Sequence, residues 1–133
     1  MVTNLFPLIL SSLLGALIGY ERQVNNHNAG LRTFTLICLG SALAMLISTS
    51  FSCGDPGRVA AQVISGIGFL GAGIILHYED KVYGLTTAAC VWVTAVIGLA
   101  VGNRMYSDAI SVTLLTIILL TVFEKFKNPT LIK

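Results

Sequence analysis

The residues best placed for chemistry are charged side chains at the ends of long uncharged segments. Glu21 and Arg22 follow the uncharged segment 1–20, and Arg32 immediately precedes the next one. A carboxylate within reach of two guanidinium groups can form a structural ion pair, or it can bind a cation or a proton. The residue pattern leaves both interpretations of Glu21 open.

Two other groups of polar side chains have helical spacing. Arg58 and Gln62 lie one turn apart, and Thr86 and Thr87 begin a weak polar stripe on another segment. Structural roles also explain these residues, because arginines extend their charge toward water and threonines bond to their own helix. The candidate polar-cluster or ligand-binding residues are Glu21, Arg22, Arg32, Thr86, Thr87, Arg58 and Gln62.

The sequence carries no recognisable catalytic constellation. It has no serine, histidine and aspartate set, no H-E-x-x-H motif and no phosphate-loop lysine. His27 and His77 have no partner histidine or cysteine at the spacing of metal ligands. We therefore expect a protein that is not an enzyme and that has no resident metal or cofactor.

The composition predicts that membrane-spanning helices position the polar residues. The chain of 133 residues is 55% hydrophobic and 11% charged, with a mean hydropathy of +0.84. Its charged fraction is roughly half that of a soluble domain. Eight basic and six acidic residues give no electrostatic footprint for nucleic acid. The lipid bilayer is therefore the expected environment.

Charged residues are grouped at nearly regular intervals along the chain. The uncharged segments are 1–20, 33–54, 59–78, 82–103 and 109–123. Each approaches the ~20 residues that a helix needs to cross the hydrocarbon layer, the last once 105–107 are included. We predict an all-α membrane protein with a single domain, 1–133. Its five transmembrane helices are expected at about 2–20, 33–51, 59–78, 82–102 and 105–123.

The basic residues predict the orientation of these helices. Five spans place Arg22, Arg32, Lys81, Lys125, Lys127 and Lys133 on one side, and Arg58 and Arg104 on the other. The side richer in basic residues is expected to be cytoplasmic, which puts the N-terminus outside and the C-terminus inside. A polar cluster of Glu21, Arg22, Arg32, Thr86 and Thr87 is then expected on the cytoplasmic side.

Glycines in the third predicted helix imitate a nucleotide-binding motif. Gly66, Gly68 and Gly71 spell G-x-G-x-x-G, but they lie inside an apolar segment rather than between a strand and a helix. Small residues on two faces instead predict close packing, with helix 3 at the centre of the bundle. Helices 1 and 4 carry similar pairs, which pack either within the bundle or in a homodimer. The predicted packing glycines are Gly15, Gly19, Gly66, Gly68, Gly71, Gly73, Gly98 and Gly102.

Four segments of the chain resemble the MgtC/SapB family of membrane proteins. In order, they are GALIGYERQ at 15–23, AGLRT at 29–33, PGRVAAQVISGIGFLGAG at 56–73, and GLTTAA at 84–89 with Trp92. The resemblance covers roughly residues 14–102, and the seven polar candidates lie at matching positions. Many family members continue into a cytoplasmic ACT-like domain, so we expect this chain to represent the N-terminal transmembrane domain only.

The resemblance implies a multi-pass protein of the bacterial inner membrane, involved in magnesium and ATP homeostasis and in virulence. It implies regulation of a membrane partner, such as F-type ATP synthase subunits or another membrane protein. The alternative is a small membrane protein that translocates a cation or protons by means of Glu21. A further interpretation is a metabolite or lipid-headgroup site around Arg22 and Arg32.

Overall fold

The computed structural model describes residues 5–51, 54–78 and 81–127. These residues form five α-helices and one β-hairpin: α1 (Leu5–Val24), α2 (Leu31–Ser50), α3 (Pro56–Ile74), β1 (Leu76–Tyr78), β2 (Lys81–Tyr83), α4 (Leu85–Gly102) and α5 (Tyr106–Lys127). Every helix is long and apolar enough to cross a membrane. The predicted all-α membrane fold with five transmembrane helices is therefore confirmed.

Some residues used in the sequence predictions lie outside the described part of the chain. They are residues 2–4 of the first predicted span and Lys133 of the predicted cytoplasmic tail. The side chains of Lys81, Lys125 and Lys127 are also outside it. The orientation of the bundle in the membrane stays a prediction.

The boundaries of α3 and α4 differ from the predicted ones for local reasons. Helix α3 begins earlier, at Pro56, because Asp55 caps it and proline is preorganised for the first helical position. Between α3 and α4 the chain forms an antiparallel hairpin in which Leu76 pairs with Tyr83. Gly84 then turns the chain into α4 with a φ of +85°, a conformation that favours glycine.

Removal of the Asp55 cap should weaken the start of α3. The Asp55 carboxylate accepts a hydrogen bond from the Arg58 backbone N–H at 3.0 Å. We expect Asp55→Ala to lower the free energy of unfolding by about 1 kcal/mol, because that N–H loses its partner. Thermal unfolding in detergent would measure the change. Asp55→Asn is the control, since an asparagine cap should keep most of the stability; equal losses in both variants would contradict the capping role.

The central helix of the bundle is α4, and the prediction that helix 3 is central is wrong. Helix α4 packs against each of the other four helices, and 61% of its span is buried, against 6% for α3. In α3, Gly71 approaches Ala88 of α4. An added Cβ at Gly66, Gly68 or Gly73 would meet no atom within 4 Å. Small residues permit close approach, but they do not determine which neighbour approaches.

The glycine pairs of α1 and α4 pack against the same helix, α2. A Cβ at Gly15 would lie 2.6 Å from the Phe34 carbonyl oxygen, and one at Gly102 would lie 2.5 Å from the Ala42 carbonyl oxygen. Gly19 and Gly98 approach the α2 backbone in the same way. The alternative left open by the sequence is thus decided in favour of packing within the bundle for both pairs.

Candidate functional site

Arg22 lies in the last turn of α1, and its charged side chain is almost completely buried, with 2% exposed. Its Nε and Nη2 atoms both donate to the Glu21 carboxylate, the second at 2.6 Å. Nη2 also donates to Oε2 of Glu124 at 3.1 Å. A buried guanidinium is tolerated only when such partners replace its lost hydration. Arg22 is therefore the centre of an ionic cluster, which consists of Glu21, Arg22, His27 and Glu124.

The other members reach Arg22 from a turn and from the end of the last helix. After α1, Asn26 adopts a φ of +57°, and the His27 backbone N–H donates to the Arg22 carbonyl at 3.0 Å. Asparagine tolerates this left-handed conformation better than most residues. The turn brings the imidazole back over Arg22. Glu124 comes from the last turns of α5, so the cluster joins the ends of α1 and α5.

A single nitrogen of His27 lies between a cation and a carboxylate. Its Nε2 atom is 2.9 Å from Nη1 of Arg22 and 3.1 Å from Oε1 of Glu124. An arginine N–H can only donate, so Nε2 must accept from Arg22, whereas it must carry a proton to donate to Glu124. Nε2 can satisfy one of these partners at a time. The proton position on His27 therefore selects between Arg22 and Glu124.

The two carboxylates of the ionic cluster are unequally engaged. Glu21 is 11% exposed, and its Oε1 atom accepts a further hydrogen bond from the Asn25 side chain at 2.8 Å. Glu124 is 28% exposed and has Arg22 and His27 as its described partners. Glu124 is therefore the carboxylate better placed to contact a ligand.

Beside the ionic cluster lies a cavity of about 390 Å³ between the ends of α1, α4 and α5. Polar side chains line one part of it, and α5 contributes an apolar wall. The lining residues are Arg22, His27, Thr86, Leu119, Leu120, Phe123 and Glu124. A half-open cavity with an apolar wall and a few converging polar groups is typical of small-molecule sites.

The structure brings only some of the predicted polar residues to this site. Glu21 and Arg22 form the ionic cluster, and Thr86 lines the cavity. Thr87 is buried in the core instead. Arg32 lines a separate shallow depression with Gln23, Gly30, Leu31 and Thr33.

Arg58 and Gln62 lie at the start of α3 and take no part in the ionic cluster. Arg58 is 74% exposed, and its Nε atom is 3.8 Å from the Asp55 carboxylate. Gln62 is also exposed. The antiparallel course of α1, α2 and α3 places these two residues at the opposite end of the bundle from Arg22.

Sequence reasoning missed Glu124 and His27 as members of the site. Glu124 is the first charged residue after the uncharged segment 109–123, and five spans place it on the same side of the membrane as Glu21. Its position at the end of a predicted span, on the same side as Glu21, is the sequence feature that could have identified Glu124. The sequence predictions treat His27 only as a possible metal ligand, although its position just after Glu21 and Arg22 also suits a hydrogen-bonding role.

Several buried hydroxyls of the bundle bond to the backbone of their own helices, whereas the buried Ser48 hydroxyl on α2 has no hydrogen-bond partner among the described residues. The buried hydroxyls of Thr94 and Thr113 donate to carbonyls of their own helices, at 2.8 Å each. Ser11 does the same at 3.0 Å. Within 5–51, 54–78 and 81–127, no three histidine, cysteine, aspartate or glutamate side chains are grouped to hold a metal ion. The arrangement is suited to a fixed ionic contact beside a ligand-sized cavity.

Comparison with known proteins gives consistent matches along most of the chain. Residues 8–128 match the profile of the MgtC family. The putative magnesium transporter YhiD of Escherichia coli K12 is 44% identical over 127 residues, covering 89% of this chain and 59% of that protein. Protein MgtC of Salmonella typhimurium LT2 is 47% identical over 115 residues, covering 84% and 50%. Protein MgtC of Brucella abortus is 50% identical over 107 residues, covering 79% and 44%.

The chain thus spans about half the length of the curated relatives it matches. No solved structure matches it significantly.

Proposed function

The chain belongs to the MgtC family, and we propose that it is a regulatory protein of the bacterial inner membrane that acts by binding a membrane partner. Its role lies in magnesium and ATP homeostasis and contributes to virulence. F-type ATP synthase subunits are the partner that the resemblance indicates. The proposal rests on contact between helices in the bilayer rather than on catalysis or on conduction of an ion.

The observation that carries this proposal is that the members of the ionic cluster are bonded to one another, with Arg22 shielded from water. Arg22 is 2% exposed, and both neighbouring carboxylates are bonded to it. A pathway carboxylate must be able to exchange its ion or proton with water or with the next site. Here Glu21 is held by Arg22 and Asn25, and the buried hydroxyls of Ser11, Thr94 and Thr113 bond to their own helices. These features favour a structural role for the ionic cluster over a role in an ion or proton pathway.

A surface for the partner is available on α3. Ser65, Gly68 and Ala72 share one helical face, and all three are exposed. Helices in lipid associate through small residues that allow close backbone contact. Because no part of the described chain covers this face, a helix of another protein can approach it. Phe69 borders this face and is 82% exposed, which gives a partner helix an apolar side chain to contact.

Co-purification tests the proposed contact. We expect the tagged chain to retain ATP synthase subunits when it is extracted from bacterial membranes, and Gly68→Leu to lose most of them because leucine separates the two helices. Gly40→Leu is the matched control, since Gly40 is exposed on α2 and an added Cβ there meets nothing within 4 Å. Equal loss in both variants, or no retention by the unaltered chain, would contradict the proposal.

Translocation of a cation or protons is the second candidate function. Two carboxylates and a histidine beside a cavity favour it, and one relative is named a putative magnesium transporter. Flux of Mg²⁺ or protons into proteoliposomes that disappears in Glu21→Gln would establish this function. On our proposal, the purified chain produces no flux above that of empty liposomes.

A further inference from the structure

We propose that the cavity beside the ionic cluster binds a membrane lipid with a primary-amine headgroup, of the phosphatidylethanolamine class. The ammonium group of the lipid is placed at Glu124 and the Thr86 hydroxyl. Its hydrocarbon chain is placed along Leu119, Leu120 and Phe123. This site goes beyond the proposed regulatory contact and does not depend on it.

The position of the lining residues matches the orientation of a bilayer lipid. Arg22 lies at the end of α1, Thr86 at the start of α4 and Glu124 near the end of α5, so the polar groups share one membrane boundary. On α5, Leu119 and Leu120 precede Glu124 by more than one turn and therefore lie deeper in the bilayer. The cavity is polar at the membrane surface and apolar below it.

The apolar wall is accessible from the side. Leu119 and Phe123 are both exposed on α5, a helix that is only 11% buried over its span. In a membrane, such exposed leucine and phenylalanine side chains face hydrocarbon. A lipid can therefore enter between α5 and the rest of the bundle without leaving the bilayer. A volume of about 390 Å³ accommodates a headgroup and the adjoining part of a chain.

The charge of the described residues favours an amine over an anionic headgroup. The guanidinium of Arg22 is already bonded to the carboxylates of Glu21 and Glu124, so it does not offer an uncompensated positive charge. Glu124 is the carboxylate among the residues that line the cavity. A primary ammonium can donate hydrogen bonds to its carboxylate and to the Thr86 oxygen. The trimethylated nitrogen of phosphatidylcholine has no N–H to donate.

A bare divalent cation fits the same place less well. Arg22 occupies one oxygen of the Glu124 carboxylate and both oxygens of Glu21. No group of three metal-ligating side chains is present among the described residues. A cation would also make no favourable contact with the apolar wall formed by Leu119, Leu120 and Phe123. An amphiphile uses the polar and the apolar parts together.

Lipid retention by the purified chain tests the site without any protein partner. The probe is an equimolar mixture of phosphatidylethanolamine, phosphatidylcholine and phosphatidylglycerol with identical acyl chains, and native mass spectrometry counts the lipids that remain bound. We expect phosphatidylethanolamine to be retained about five- to tenfold over phosphatidylcholine, as the gain of one charge-assisted hydrogen bond implies. Equal retention of the two, or preferred retention of phosphatidylglycerol, would overturn the proposal.

Two variants connect the preference to the cavity. Glu124→Gln should reduce it to less than about twofold, because the ammonium loses its carboxylate partner. Thr86→Val should weaken it as well, and because Thr86 is exposed this variant is expected to fold. Thr121→Val is the matched control, since Thr121 is exposed on α5 and does not line the cavity. An unchanged preference in both cavity variants would overturn the proposal even if phosphatidylethanolamine binds elsewhere.

Discussion

Replacement of Arg22 by methionine is expected to lower the free energy of unfolding by about 3–5 kcal/mol, the cost of breaking a buried ion pair by removing one partner. Methionine preserves most of the volume, so the loss comes from charge. Glu21 and Glu124 would lie close together without the guanidinium that compensates both. Chemical unfolding of the purified chain in mixed micelles would measure the change. The ends of α1 and α5 should also separate, because Arg22 joins them.

Arg58→Met is the control for this prediction. Arg58 forms an ion pair with Asp55, but it is 74% exposed, so its loss should cost no more than about 1 kcal/mol.

A second check removes the charges of the ionic cluster together. Adding Glu21→Gln and Glu124→Gln to Arg22→Met should recover much of the stability, since an apolar or neutral set can replace a buried ionic one. If Arg22→Met were as mild as Arg58→Met, the ionic cluster would have no structural importance.

Gly98→Val is expected to destabilise the bundle by about 3 kcal/mol or more, at the upper end of the usual cost of overpacking. A Cβ at Gly98 would overlap the Cys38 carbonyl oxygen and would lie 2.8 Å from the Ser41 Cβ. A backbone oxygen cannot rotate away as a side chain can. Relief would therefore require α4 to move away from α2, which disturbs the most buried helix of the protein. Loss of monodisperse protein in size-exclusion chromatography and a lower unfolding midpoint would report this.

Gly66→Val provides the matched comparison for Gly98→Val. Both substitutions replace a mid-helix glycine by the same β-branched residue, so their intrinsic helical preferences are alike. At Gly66 an added Cβ meets nothing within 4 Å. This variant should keep the unfolding midpoint of the unaltered chain within experimental error. Equal destabilisation by the two substitutions would show that α3 is packed more tightly than the structure indicates.

The two glycine pairs explain why the bundle is held around α2 and α4. Gly15 and Gly19 bring α1 onto α2, whereas Gly98 and Gly102 bring α4 onto the following turns of the same helix. Both pairs are thus used within one chain. An added Cβ at the open glycines of α3 would meet no atom within 4 Å, and one of these glycines, Gly68, lies on the proposed partner surface. The proposed partner surface therefore does not use the glycines that hold α1 and α4 against α2.

The existence of the five helices could be predicted because bilayer insertion depends on length and charge, which are local properties of the sequence. The cap formed by Asp55 and Pro56 was equally local, although the predicted start of helix 3 overlooked it. The centre of the bundle was not a local property. Lipid is as apolar as a protein core, so the hydropathy of α3 and α4 did not distinguish the peripheral helix from the central one.

The amino-acid sequence was sufficient to predict a membrane protein of five helices with polar residues near Glu21, and to indicate the family that it resembles. The burial of Arg22, its separation from Arg32 and the addition of His27 and Glu124 to the cluster became visible in the folded chain alone. The pair between Arg22 and Glu124 joins residues 102 positions apart. Whether two helix ends meet depends on how every helix between them packs, and in lipid that packing is set by the shape of side chains rather than by their hydrophobicity.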